Sequence, residues 1–172
     1  MKNAYQQAME RLYLACVVIS GVALVVITLI IPVGVFMRYA MHSPLSWPEP
    51  ASVIMMVMFS FIGGAAVYRA KVHIAVQAFV NAVSEGKRRA MGWLADGCMA
   101  ATALFMLGYG VQLCMTTRFQ TIAEFPWLSV AYVYLPIPIA GLLTLLFLIE
   151  RIWVGEPPPS SVMYSDQAAE VE

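Results

Sequence analysis

Histidines, cysteines and carboxylates are the residues of this sequence that could do chemistry, but their spacing matches no known reaction centre. The chain has two histidines, His42 and His73. A bis-histidine haem needs both imidazoles at one depth of a helical bundle, and the topology derived below places these two at opposite membrane surfaces. The sequence shows no Ser/His/Asp set, glycine-rich phosphate loop or Cys/His metal spacing. We therefore predict that the protein is not an enzyme and has no catalytic, cofactor-binding or metal-binding residues.

Asp96 is the ionisable residue that lies well inside an apolar stretch. An ionisable group within a membrane span is a functional candidate by default. Because Asp96 follows Trp93 by about one helical turn and so lies near the membrane surface, we favour an interfacial ion pair with a basic residue such as Arg89 or Lys71. A polar contact with a partner subunit and an ion-coupling site are the alternatives.

A second polar group precedes the second apolar stretch and comprises Arg38, Ser46, Trp47 and Glu49. The pattern Ser46-x-x-Glu49 before an apolar run is typical of a capping box, in which serine and glutamate each accept a hydrogen bond from the other's backbone N–H. Arg38 has three interpretations: a contact with lipid phosphate, a cap on the first helix or an ion pair with Glu49. We treat all four residues as candidates for a partner or lipid interface.

The composition indicates that a membrane surrounds these residues. Hydrophobic residues make up 61% of the 172 residues and charged residues 12%, with a mean hydropathy of +0.77. Soluble domains carry about 25% charged residues, so this apolar excess excludes a soluble enzyme. The ten Lys and Arg residues balance the ten Asp and Glu residues, which argues against a nucleic-acid partner.

Four apolar stretches are long enough to cross a bilayer, which takes about 20 residues. We predict an all-α integral membrane protein with spans at about residues 12–37, 50–68, 90–117 and 125–149. These spans form one membrane domain over residues 1–154, and the polar segment 155–172 is predicted to be a disordered tail. The tryptophans fall at span ends, as expected for residues that prefer the lipid headgroup level.

The distribution of lysine and arginine predicts the orientation in the membrane. With both termini on one side, that side carries eight of the ten basic residues and the other side carries Arg38 and Arg118. We therefore predict that both termini are cytoplasmic. The cytoplasmic connection between the second and third spans has a polar stripe, beginning at His73, opposite an apolar face. This pattern predicts an amphipathic helix.

Small residues in the second span indicate close helix packing. Gly63 and Gly64 are followed by two alanines, and residues this small let two membrane helices approach each other. We interpret Gly63 and Gly64 as part of an interface with a partner helix. Arg69, at the cytoplasmic end of the same span, is a further interface candidate.

Several short motifs occur in an order that resembles the small membrane subunit of tripartite ATP-independent periplasmic (TRAP) transporters, the DctQ-type family. They are Arg38-Tyr39, Leu45-Ser46-Trp47-x-Glu49, Gly63-Gly64-Ala65-Ala66 followed by Arg69, His73-Ile74-x-Val76 and, in the fourth span, Trp127 with Leu135-Pro136. The resemblance covers about residues 10–153. Two positions depart from the family pattern, because Pro50 and Gln77 stand where the family usually has acidic residues.

The resemblance implies a scaffold subunit in the bacterial inner membrane with no substrate site of its own. Its implied partners are membrane lipids, a separate large multi-span subunit that moves the substrate, usually with sodium, and a periplasmic binding protein that delivers an organic acid. A C4-dicarboxylate or sialic acid is an example of such a substrate. One alternative is a quinone- or haem-binding membrane anchor of a redox enzyme, which needs facing histidines. Another is a self-contained small transporter or pore, which needs more polar groups within the membrane.

Overall fold

The structure, a computed structural model, describes residues 2–70 and 85–153 and consists mainly of helices. The helices are α1 (Lys2–Tyr39), α2 (Pro48–Ala70), α3 (Glu85–Thr117), α4 (Val130–Tyr134) and α5 (Pro136–Trp153), and the strands are β1 (Thr121–Ile122) and β2 (Phe125–Ser129). Within the described residues, four segments are long and apolar enough to cross a membrane: Tyr5–Tyr39, Pro48–Ala70, Met91–Thr117 and Val130–Trp153. The prediction of a helical membrane protein with four spans is therefore confirmed. The predicted tail 155–172 and the stripe that begins at His73 lie outside the described residues.

The helices lie side by side in the order α1, α2, α5, α3. The helix α2 packs along both α1 and α5, and α5 packs along α3. Four spans place both ends of the described chain on one side, which we call the terminal end; the other side, with the loop after α1 and the two strands, is the loop end. The fourth span has the largest buried share and the third span the smallest. The arrangement therefore leaves wide apolar faces on α1 and α3.

The first helix contacts its neighbours through one narrow stripe. Its buried residues follow alternating steps of four and three: Met9, Tyr13, Cys16, Ser20 and Ala23. This period keeps one seam facing a partner helix, as in coiled-coil packing. Large apolar side chains on the rest of α1 are exposed, among them Val18, Val22, Val25 and Leu29. The helix continues through Pro32 to Tyr39.

Glycine residues allow close contacts between the third and fourth spans. A Cβ on Gly141 would lie 2.8 Å from the carbonyl oxygen of Ala103 and 2.9 Å from the backbone nitrogen of Leu107. A Cβ on Gly110 would lie 2.8 Å from Cδ of Pro138. Real Cβ atoms essentially never lie this close to another heavy atom, so a side chain at either position would force the two helices to shift.

The start of the fourth span differs from the prediction. Residues 125–149 were expected to be one membrane helix, but Phe125–Ser129 forms a strand that pairs with Thr121–Ile122, and the helix begins at Val130. Ser129 is the last residue of the strand and also the N-cap of α4. Its backbone is extended, and its hydroxyl accepts a hydrogen bond from the Ala131 N–H at 3.2 Å. Phe125 to Leu128 are apolar enough to extend a hydrophobic run, so composition did not mark this boundary.

Candidate functional site

The most deeply buried charges in the described chain meet at the terminal end, around Arg69. This arginine lies in the last turn of α2, and its side chain is 3% exposed. Its Nε donates to Oε2 of Glu150 at 2.8 Å, and its Nη2 donates to Oε1 of the same carboxylate at 2.9 Å. The Glu150 side chain is 1% exposed. The contact is therefore a buried ion pair with two parallel hydrogen bonds, which joins α2 to α5.

The third nitrogen of Arg69 binds the first helix. Its Nη1 donates to Oε2 of the partly exposed Glu10 at 2.8 Å. Two rings contact the same guanidinium, because Cζ of Arg69 lies 5.2 Å from the ring centroid of Tyr13 and 5.6 Å from that of Phe147. Both distances are in the range of cation–π attraction. Three helices therefore meet at one side chain whose nitrogens are all paired.

Regular helix spacing brings these partners to Arg69. Glu10 and Tyr13 are three residues apart on α1, and Phe147 and Glu150 are three residues apart on α5. Residues at this spacing lie on the same face of a helix. Each neighbouring helix thus presents one carboxylate and one ring to the arginine. We call Glu10, Arg69 and Glu150 the Arg69 cluster.

A second ion pair connects the remaining span. Nη1 of Arg151 donates to Oδ1 of Asp96 at 2.5 Å, and both side chains are partly buried. Because Arg151 directly follows Glu150, consecutive residues of α5 bind α2 on one side and α3 on the other. The expectation that Asp96 forms an ion pair agrees with this contact, although Arg151 was not one of the partners suggested from the sequence. The pair joins residues 55 positions apart, which local spacing could not indicate.

Uncharged side chains also join two helices at the terminal end. The hydroxyl of Tyr5 donates to the carbonyl oxygen of Leu146 at 3.2 Å. The ring of Tyr5 also packs edge-on against Trp153, with 5.9 Å between ring centroids. Both contacts join α1 to α5 directly, beside the Arg69 cluster.

The geometry of these charges favours a structural role. Each charged group of the Arg69 cluster and of the Asp96–Arg151 pair has an opposite charge within 2.9 Å. Removing one partner of a buried ion pair costs about 3–5 kcal/mol, because the other charge is left buried and unpaired. Within residues 2–70 and 85–153, no group of three or more His, Cys, Asp and Glu side chains could hold a metal ion. The arrangement therefore holds helices in place and leaves no free carboxylate among its members for acid–base work.

The predicted pair at the loop end is weak by comparison. Nη2 of Arg38 lies 3.9 Å from Oε2 of Glu49, and the two side chains are 56% and 84% exposed. Ion pairs this exposed contribute about 0–1 kcal/mol, since water screens both charges. This contact agrees with the ion-pair interpretation of Arg38, but it does little for stability.

The expected capping box at Ser46 does not form. The helix α2 begins at Pro48, and the Ala51 N–H donates to the carbonyl of Trp47 at 3.1 Å. Trp47 therefore occupies the cap position, and Ser46 lies one residue too early. Proline is favoured at the first helical position because its fixed φ suits the helix and its missing N–H is not needed there.

Gly63 and Gly64 have different surroundings. A Cβ on Gly63 would lie 3.2 Å from Oγ of Ser20 on α1, whereas a Cβ on Gly64 would meet nothing within 4 Å. The following residues, Ala65 and Ala66, are buried inside this chain. Gly63 thus packs α2 against α1, Ala65 and Ala66 lie in the core that α1, α2 and α5 share, and Gly64 alone among the four faces outward.

Sequence reasoning missed Glu10, Glu150 and Arg151. Each lies next to an apolar stretch, and Arg151 entered the prediction only as one of the basic residues counted for the orientation. Their shared position was a usable signal, because Glu10, Arg69 and Glu150 all lie at span ends on the side that carries both termini. His73 lies outside the described residues.

The fold and the ionic contacts define a class of protein, a multi-pass helical membrane protein whose buried charges hold its spans together. The chain matches the family model described as tripartite ATP-independent periplasmic transporters, DctQ component, over residues 27–156, which is more than half of its 172 residues. The chain belongs to this family and is the small-subunit component of a TRAP transporter. The family prediction made from the order of the motifs is confirmed. A comparison with curated proteins found no match.

Proposed function

We propose that this chain is the scaffold subunit of a TRAP importer in the bacterial inner membrane. It supports a separate large multi-span subunit, which takes up an organic acid with sodium after a periplasmic binding protein delivers it. The substrate class is a carboxylate such as a C4-dicarboxylate or sialic acid. The observation that carries the scaffold role is the Arg69 cluster together with the Asp96–Arg151 pair, since these contacts hold all four spans at one end.

A scaffold needs a fixed helix arrangement and free surface for its partner, and both features are on this chain. The ionic contacts and the glycine crossings between α3 and α5 hold the helices against sliding. The helices at the two ends of the row, α1 and α3, each use one narrow stripe for internal contacts and expose the rest of their apolar surface. Such surface is stable only against lipid or another membrane protein.

The excess of lysine and arginine supports an orientation with the terminal end in the cytoplasm. In that orientation the Arg69 cluster lies at the cytoplasmic surface and the strands lie at the periplasmic surface. Cysteines introduced at His42 and Glu124 should react with a membrane-impermeant maleimide in intact cells, whereas a cysteine at Glu85 should react only after permeabilisation. The reverse result would invert the orientation.

The contrast between Gly63 and Gly64 separates internal packing from partner contact. Gly63→Leu should reduce the stability of the isolated subunit, because Ser20 occupies the space that the new side chain needs. Gly64→Leu should leave the isolated subunit stable, since that site is open. Loss of co-purification with the large subunit in Gly64→Leu would support a partner contact at this position. Wild-type complex yield would remove Gly64 from the interface.

Uptake experiments test the proposed function as a whole. A strain that expresses the large subunit and the binding protein should take up the organic acid only when this chain is also present. This chain alone in proteoliposomes should give no uptake, with or without an inward sodium gradient. Uptake by the large subunit and binding protein without this chain would contradict the scaffold role, and uptake by this chain alone would favour a self-contained transporter.

A further inference from the structure

The two-stranded hairpin at the loop end exposes aromatic side chains. We define the hairpin segment as residues 118–129, from the end of α3 to the cap of α4. Phe119 is 83% exposed and Trp127 is 79% exposed. The guanidinium of Arg118 lies 4.3 Å from the ring centroid of Phe119, and Phe125 packs edge-on against Trp127 at 6.0 Å. The segment thus combines two uncovered rings with a positive charge.

Hydrogen bonds attach the hairpin segment firmly to the helices. The Gln120 N–H donates to the carbonyl of Thr117, the last residue of α3, at 3.0 Å, and the N–H of Val130, the first residue of α4, donates to the carbonyl of Gln120 at 2.9 Å. The strands pair in antiparallel register through Ile122 and Phe125. The segment therefore has a defined position relative to the third and fourth spans.

The neighbouring spans set the depth of the hairpin segment. One candidate span ends at Thr117 and the next begins at Val130, so the segment lies directly at the membrane surface. A two-stranded sheet has open edges whose N–H and C=O groups cannot lie in hydrocarbon without hydrogen-bond partners. The exposed rings, in contrast, are unfavourable in bulk water. The lipid headgroup layer satisfies both requirements.

We propose that the hairpin segment is an interfacial anchor that binds the lipid surface. The rings of Phe119 and Trp127 lie at the boundary between headgroups and acyl chains, where tryptophan is enriched in membrane proteins. Arg118 lies at the level of the lipid phosphates, with its aliphatic stem over apolar surface. The anchor sets the depth of the third and fourth spans, since interfacial aromatic and basic residues determine how a span sits in the bilayer.

Tryptophan fluorescence of the full chain in lipid bilayers tests this proposal. The variant Trp47→Phe/Trp93→Phe/Trp153→Phe retains Trp127 as its only tryptophan. Lipids brominated near the glycerol should quench its emission several-fold more than lipids brominated near the chain ends. The emission should be blue-shifted relative to free N-acetyltryptophanamide, and acrylamide should quench it several-fold less.

A second measurement avoids the triple substitution. The difference in bromolipid quenching between the wild-type chain and Trp127→Phe gives the contribution of Trp127 in an otherwise unchanged protein, and it should show the same preference for shallow bromines. Acrylamide quenching equal to that of the free compound, without bromolipid quenching, would place the ring in water and overturn the proposal. Protection from both quenchers in the complex with the large subunit would place a protein over the hairpin and overturn it as well.

Discussion

The two ends of the helix row are held together by different means. At the terminal end, the helices meet through buried charges, and Arg69 alone binds carboxylates from two other helices. At the loop end, the ion pair of Arg38 and Glu49 is long and exposed, and the helices meet instead through glycine–proline contacts. A Cβ on Gly34 would lie 3.1 Å from Cβ of Pro48, and the Gly110–Pro138 contact is closer still.

The difference shows that burial decides what an ion pair contributes. Both ends carry an arginine and a glutamate on neighbouring helices, so the residue types do not distinguish them. A charge pair screened by water contributes about 0–1 kcal/mol, whereas breaking a buried pair costs about 3–5 kcal/mol. The terminal end therefore depends on specific charges, and the loop end depends on the absence of side chains at a few positions.

The largest expected effect follows removal of the central charge. Arg69→Ala leaves Glu150 buried without its partner and removes the contact with Glu10, so it should lower the free energy of unfolding by about 3–5 kcal/mol. The measurement is unfolding of the purified subunit by SDS in mixed micelles. Arg38→Ala is the matched control at the loop end and should change stability by less than about 1 kcal/mol. Equal losses in the two variants would remove the contrast between the ends.

A glycine substitution tests the helix packing at the loop end. Gly110→Ala places a Cβ against the ring and backbone nitrogen of Pro138, and overpacking of this kind costs about 1–3 kcal/mol. Gly108→Ala, two residues earlier on α3, meets nothing within 4 Å and should be neutral or slightly stabilising, because alanine has the higher helix propensity. The same SDS titration measures both variants, and a loss in Gly108→Ala as large as that in Gly110→Ala would contradict the assigned contact.

Substitution in the Asp96–Arg151 pair at the terminal end should have an intermediate effect on stability. Asp96→Asn removes the negative charge that faces Arg151. Because both side chains are only partly buried, the free energy of unfolding should fall by about 1–2 kcal/mol. The double variant Asp96→Asn/Arg151→Gln tests coupling and should be less destabilised than the sum of the single variants. Additive losses would show that the two side chains do not interact in the folded subunit.

The smallest effect on stability is expected at Glu49. Glu49→Gln should change the free energy of unfolding by less than about 1 kcal/mol, because the side chain is exposed and its contact with Arg38 is long. Uptake by the three-component system, measured together with the amount of assembled complex, tests a role beyond stability. Impaired uptake with normal assembly would place Glu49 at a functional contact with a partner, and wild-type uptake would limit it to the surface of this subunit.

Sequence reasoning identified the spans because the length of an apolar run is a local property. The four predicted spans overlap the four helical segments that are long and apolar enough to cross a membrane, and Arg69 and Asp96 were both selected as candidates. It misplaced the start of the fourth span because Phe125 to Leu128 are as apolar as a membrane helix. These residues form a strand only because they pair with Thr121 and Ile122, which precede the turn. It misplaced the cap of α2 because Pro48 is itself a preferred first residue of a helix.

Composition, charge distribution and motif order thus determined by themselves that the chain is a four-span DctQ-type membrane subunit. The tertiary structure decided which charges meet. Arg69 binds Glu10 and Glu150, which are 59 and 81 residues away in the chain, and Asp96 binds a residue on the last helix. Helix periodicity specifies the face on which a charged residue lies, but only the packing order of the helices specifies which other helix that face meets.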